Sequence, residues 1–389
     1  MSRVERSEER IRLLEQQLAT EAQSAVKTRS RMAMEIHGRV LVNVFTNSRR
    51  VNSTGGAGYV LPDDPGQLDP RGIAMSIRQT SLGIAFATRD VLGADFLGDL
   101  DVDFHGGQLP SSGGRTFALV RMRTARAVLR WPRAELLLGQ ESPLLGGVNP
   151  VSLAAVGTPL FAASGNLWLW LPQARLTVET SGRVRFGAQG AILAPGNAAP
   201  VGSFEVSQFD NAERSRRPFL QGRLRATWGE GDLRGEVGLA GHASWYKISP
   251  DSLSRGYGTG VDLVLPIRPW LELRAEAYDG KGVRSLGGGA IGQLFGFDGR
   301  LIRSRGGWAQ LNAPVTPTVT IGAGMGLDDP NDTDVSAPSR LKNTVRAAHA
   351  HWRPSGPLVF GLEYRNIRTQ YATGSFVNHH LNLAFGFEF

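Results

Sequence analysis

The stretch from Phe376 to Phe389 constrains this chain most, because it reads as one complete amphipathic strand that ends on an aromatic residue. Val377, Leu381, Leu383, Phe385, Phe387 and Phe389 share one parity, and Asn378, His380, Asn382, Ala384, Gly386 and Glu388 the other. A period of two puts successive side chains on opposite faces of a sheet. Three phenylalanines on one face suit lipid there and water on the opposite side. The fold class expected is therefore all-β: a transmembrane antiparallel β-barrel closed by this strand, rather than a soluble sheet with an ordinary edge.

Composition permits that reading. Of the 389 residues 41% are hydrophobic and 49 are glycine, and no run of about 18 apolar residues exists to make a transmembrane helix. Barrel strands carry only an alternating signal, so that absence does not argue against a membrane. With no cysteine there are no disulfides or thiolate metal sites. The net charge of +8 comes from arginine, since only Lys27, Lys247, Lys281 and Lys342 are lysines among 43 basic residues. The arginines recur singly or in i, i+2 pairs inside strands rather than in a tail or helix, so nucleic acid is not the expected partner. The first twenty residues lack an apolar h-region. Either the mature chain opens at residue 1 or an exporting segment lies upstream.

One helix is expected, over residues 4–27. Val4, Ile11, Leu14, Leu18 and Ala25 take a and d positions of a heptad that Ser7 and Glu21 interrupt. This makes 1–34 a periplasmic coiled-coil extension, or a flexible arm, ahead of a barrel over 35–389. Strands are expected at 36–46, 73–89, 95–105, 116–130, 133–139, 166–179 and 184–194. Short turns then follow at 229–231, 266–269, 313–317 and 354–357, with a short connection at 369–374. Long loops are expected at 47–71, 106–114, 140–165, 195–218, 249–257, 279–297 and 328–338. About 16 strands joined alternately by short turns and long loops is the plan of an outer-membrane barrel. Tryptophans agree: Trp131, Trp228, Trp270 and Trp352 adjoin short turns, and Trp168, Trp170 and Trp245 adjoin long loops, as interfacial girdles require. Trp308 has no girdle position.

Parity assigns the faces. Leu100, Val102, Phe104, Val120 and Met122 point to lipid, and Asp99, Asp101, Asp103, Arg121 and Arg123 to the lumen. Gln173, Arg175, Thr177, Glu179, Arg183, Arg185, Gln189, Gln221, Arg223, Arg225, Arg234, Glu236, Glu272, Arg274, Glu276, Glu363 and Arg365 also face inward. The period changes phase between Arg78 and Leu82 and slips again near Arg126 and Arg130, which suggests bulges or extension beyond the bilayer. The candidate site is thus a pore wall of Arg121, Arg123, Gln173, Arg175, Arg185, Arg223 and Arg225 with Asp101 and Asp103. Such a wall either attracts anions or forms structural ion-pair ladders. The 140–165 loop is long and apolar enough to fold inward as a constriction, or to make an outward contact.

The run Val120-Arg121-Met122-Arg123, then Leu138-Gly139-Gln140 before a long loop, then Leu171-Pro172-Gln173-Ala174-Arg175-Leu176, resembles the DcaP-like porins, trimeric outer-membrane channels with a coiled-coil extension. The closing phenylalanine is similar to the signal by which barrel-assembly machinery recognises porins. The resemblance implies uptake of small anions such as dicarboxylates, with Arg121, Arg123 and Arg175 on the pore wall of a homotrimer set in outer-membrane lipid. The alternative expectation is a structural envelope barrel whose periplasmic helix tethers it to peptidoglycan or a partner assembly. No catalytic arrangement, cofactor set or metal site stands out. Asp328, Asp329, Asn331, Asp332 and Asp334 are expected as a solvated acidic loop rather than a calcium site. His349, His351, His379 and His380 have no ligand set around them, and Gly287, Gly288 and Gly289 are expected in a flexible loop with no helix after them.

Overall fold

The structure is a computed structural model that describes residues 32–64, 66, 69, 71–108, 118–196 and 208–389; the helix expected over 4–27 lies outside them. Alternating sequence becomes wall. The strands are β1 (Ala33–Asn47), β2 (Gly72–Ser76), β3 (Ser81–Val91), β4 (Ala94–Gln108), β5 (Ala118–Arg130), β6 (Ala134–Glu141), β7 (Leu171–Glu179), β8 (Val184–Leu193) and β9 (Phe219–Trp228). The second half adds β10 (Gly235–Ser249), β11 (Ser252–Arg268), β12 (Leu271–Lys281), β13 (Arg303–Pro314), β14 (Val319–Pro330), β15 (Arg340–Trp352), β16 (Leu358–Tyr371) and β17 (Gly374–Glu388). All neighbours are antiparallel. The short β2 and the longer β3 share one place in the ring, both against β1, so the 17 segments make a closed 16-strand barrel.

β1 and β17 close the ring from Arg39 opposite Glu388 to Asn47 opposite His380. The closing ladder extends to the last residue: Gly38 N donates to Phe389 O at 2.8 Å and Phe389 N to Gly38 O at 3.0 Å. On β17 Leu381, Leu383, Phe385 and Phe387 are exposed on the outer face, while Asn378, His380, Asn382 and Ala384 are buried inside. The inversion, apolar outside and polar inside, is what lipid demands.

Both phase changes expected from the sequence have a structural origin. β1 pairs with β2 as Asn43 opposite Ser76 and with β3 as Arg39 opposite Ser81, so residues 77–80 step out of register. There the Leu41 amide finds the Thr80 hydroxyl at 3.2 Å instead of a backbone carbonyl, and Arg78 Nε turns to Phe104 O at 3.2 Å. Between β4 and β5, Val102 faces Met122 but Asp101 faces Thr124, which makes Arg123 an inserted residue.

Three loop expectations are corrected. The 249–257 stretch is not a loop: Ser249 and Ser252 pair in a tight turn, and Ser254, Arg255, Gly256 and Tyr257 belong to β11. Its polarity reflects wall that rises past the lipid. The 140–165 loop runs instead from 142 to 170, because the ladder with β7 holds Gln140 and Glu141 and begins only at Leu171. Gly287, Gly288 and Gly289 belong to a buried connection. It contains the turns Val283–Leu286 and Gly289–Gly292 and packs Val283, Leu286 and Leu294 against Leu144, Leu145 and Leu167.

Candidate pore wall and constriction

Residues 142–170 cross the lumen and are fastened to the wall around much of its circumference. Near β9, Gln221 Oε1 accepts the Leu144 amide at 2.6 Å. On the far side, Gln310 of β13 accepts the Val151 amide at 2.7 Å and donates to the Val151 carbonyl at 2.9 Å. Ser152 Oγ donates to Glu363 at 2.6 Å, Asn43 to Leu153 O at 2.8 Å, Arg365 to Ala154 O at 2.7 Å and Asn343 to Ala163 O at 2.7 Å. Buried carbonyls and amides need such partners. The inward polar residues of β1, β13, β15 and β16 supply them.

Apolar packing reinforces the seat. Leu160 and Phe161 lie in a cluster with Val345, Ala347, Ile367 and Trp308, and Phe161 stacks on Trp308 with ring centres 5.9 Å apart. That explains the tryptophan with no girdle position, since it faces inward and clamps the crossing segment. Gly165 has φ +100° and sits so close to Gly307 that a side chain at Gly165 would collide with the Gly307 backbone.

The sequence-assigned inward residues of β4 to β9 share one wall. Arg121 makes a two-armed pair with Asp103, at 3.0 and 2.6 Å, and its other nitrogen donates to Gly157 O of the crossing segment at 2.9 Å. Arg123, thrown inward by the bulge, lies 3.8 Å from the same Asp103 carboxylate. Asp101 lies 3.6 Å from His37 Nε2. Gln173 donates to Glu141 O at 2.8 Å, and Arg175 donates to Ser142 O and to Gln173 Oε1. Arg223 is held by Asp262 at 2.5 Å and Glu236 at 2.6 Å. Arg225 pairs with Glu179. Arg185 lies on the same inner face, opposite Thr227.

The wall is therefore an ordered ladder of ion pairs whose balance varies along it. Around Arg223 two carboxylates face one guanidinium. At Asp103 the ratio reverses, with two guanidinium groups on one carboxylate, and the Trp170 ring lies beneath both, 5.3 Å from Arg121 and 5.0 Å from Arg123. Trp170 was expected in a girdle. It is instead the end of the crossing segment, one residue before β7 begins, and packs edge-on against Trp168. Arg126, where the sequence period slips, also has a place on the inner wall. It bonds Asp99 at 2.5 Å and also Glu141, as the bulge at Arg123 requires once the period is restarted there. The 328–334 acids are dispersed: Asp328 accepts from Ser304 inside the wall, Asp329 meets Arg305 and Lys342 outside, and Asp334 pairs with Arg303. Among the described residues no His, Cys, Asp and Glu group is arranged to hold a metal ion.

A closed 16-strand barrel crossed by an inward segment and lined by paired charges defines a fold shared with outer-membrane channels. The chain is similar to the outer membrane channel DcaP of Acinetobacter baumannii, with a TM-score of 0.72 and 17% identity over 94% of this chain and 99% of that one. An anion-selective porin from Comamonas acidovorans gives 0.60 and 12% identity over 92% and 100%. OmpF of Salmonella typhi, in complex with daunomycin, gives 0.56 and 12% over 92% and 97%. No protein-family model and no curated protein sequence matches the chain.

Proposed function

We propose that this chain is an outer-membrane porin, assembled as a homotrimer, through which small solutes diffuse past the crossing segment with a preference for anions such as small carboxylates. The observation that carries the preference is the Asp103 carboxylate shared by Arg121 and Arg123 beside Trp170. Guanidinium groups in excess over carboxylates at a narrow, low-dielectric passage raise the local anion concentration and offer two-pronged partners to a carboxylate. Arg175 stands on the same wall and hydrogen-bonds the Ser142 carbonyl and the Gln173 amide oxygen rather than a carboxylate. Farther along the wall Glu179, Glu236 and Asp262 offset Arg223 and Arg225, so the passage beside the crossing segment sets selectivity. The barrel shared with DcaP and with the anion-selective Comamonas porin supports the reading.

Reversal potentials in planar bilayers under a salt gradient test it. Wild type is expected to favour anions, and R121A/R123A/R175A to move the potential toward zero. Cation preference in wild type, or an unchanged potential in the variant, rejects the arginine assignment. Absence of any conductance supports a structural envelope barrel instead.

A further inference from the structure

Arg346 and Arg368 stand on the outer face of β15 and β16. On β15 the buried inner residues are Asn343, Val345, Ala347, His349 and His351, and Arg346 lies exposed on the opposite face. Arg368 is likewise exposed on β16, between buried Ile367 and Thr369. Arg346 faces Asn366 and Arg368 faces Thr344, which sets the two guanidinium stems one diagonal step apart on adjacent strands. Asn366 in turn faces His379, whose Nδ1 is 2.7 Å from the Tyr364 hydroxyl. Neither guanidinium has an ion pair or hydrogen bond among the described residues. Higher up the wall, Arg305 and Lys342 share Asp329 at 3.6 and 3.5 Å.

Their height identifies what they meet. Trp352, Phe360 and Phe385 form one row at the opposite, chain-terminal edge. Arg346 is six residues above that row on β15 and Arg368 eight on β16. At about 3.4 Å per residue and a tilt near 40°, these are roughly 15 and 20 Å of height within an apolar band about 25 Å tall. Long side chains at that level snorkel to the nearer headgroups. A neighbouring copy related by an axis along the membrane normal presents its groups at unchanged heights. The outward carboxylates of this region among the described residues, Asp279 and Asp329, lie in the row of Arg305, above both arginines, so the same face of a second copy offers none of them at the level of Arg346 and Arg368. A phosphate does sit at the headgroup boundary.

We propose that Arg346 and Arg368, with Asn366 and His379 beside them, bind the phosphate of a phosphorylated lipid in the outer leaflet. Two cations one diagonal apart repel until an anion lies between them, and phosphate accepts from both forks. The site lies on the opposite face of the wall from the pore, so its test is independent of ion selectivity.

Native mass spectrometry of the detergent-purified oligomer, loaded in parallel with a phosphorylated acylated glucosamine disaccharide and its dephosphorylated form, decides the matter. Wild type is expected to retain the phosphorylated probe on the order of tenfold better. R346A/R368A should lose that margin and R346K/R368K should keep part of it. Equal retention of the two probes by wild type overturns the proposal without any variant. An unchanged margin in R346A/R368A also overturns it, and if that variant dissociates into subunits with its margin intact, the patch is a subunit contact.

Discussion

Gln310 grips Val151 by both its amide and its carbonyl, and one side chain thereby fixes the middle of the crossing segment. Replacing it with alanine leaves two backbone groups without partners, at a local cost of about 1–3 kcal/mol each if they stay buried. Gln310→Ala is expected to give noisier single-channel currents with more than one conductance level at an unchanged reversal potential. Asp334 gives a pH-dependent prediction. The Arg303 guanidinium holds its carboxyl below the ordinary carboxylate range, and Asp334 also accepts the Arg303 amide at 2.9 Å. A carboxyl lowered on folding stabilises fully above its unfolded value and loses that contribution as pH falls through the folded one. Amide exchange at Arg303 should therefore be slower in wild type than in Asp334→Asn near neutrality, and the difference should vanish in strong acid. Residue parity was legible wherever a strand ran unbroken, hence the inward placement of Arg121, Gln173, Arg175, Arg223 and Arg225. Trp170 escaped because it precedes its strand, where no period operates, and Trp308 because an inward aromatic makes sense only once a segment packs on it.

At the level of elements, the crossing segment tolerates little crowding where it meets the wall. Gly165→Ala forces a side chain into positive φ and against Gly307, a combination that costs about 1–3 kcal/mol or more. It is expected to displace the segment and change conductance by a factor measurable in single-channel recordings, with the barrel still formed. The segment is legible as an inward candidate from its apolar residues, yet its bounds are not, since Trp168, Leu169 and Trp170 look like strand until the Trp168 and Leu169 amides are seen donating to Leu286 O. The glycine-rich connection before β13 reads as flexible for a related reason. Gly288 carries no side chain because its backbone lies against the Ala162 carbonyl, and close approach leaves the same mark in a sequence as flexibility does. The β10–β11 hairpin reads as a loop in the sequence because a wall standing in water needs no apolar parity.

Taken whole, the molecule is a ring whose outer apolar face and inner polar face are both set by a period of two, so strand number and closure could be read before any contact was known. What the inside holds could not be, because two connections distant in sequence meet there, Leu144, Leu145 and Leu167 with Val283, Leu286 and Leu294. A closed ladder of this length should resist detergent at room temperature, and electrophoretic mobility is expected to change only after boiling. The ring has one stitch of a different kind. Where β2 gives way to β3, the Leu41 amide is held by a threonine hydroxyl rather than a neighbouring carbonyl. Thr80→Val preserves shape and removes that acceptor, so Leu41 is the place where exchange with deuterium should quicken first. A tube pulled from its circumference opens first where its stitching is interrupted, and at this interruption one hydroxyl oxygen joins the pairing with β2 to the pairing with β3.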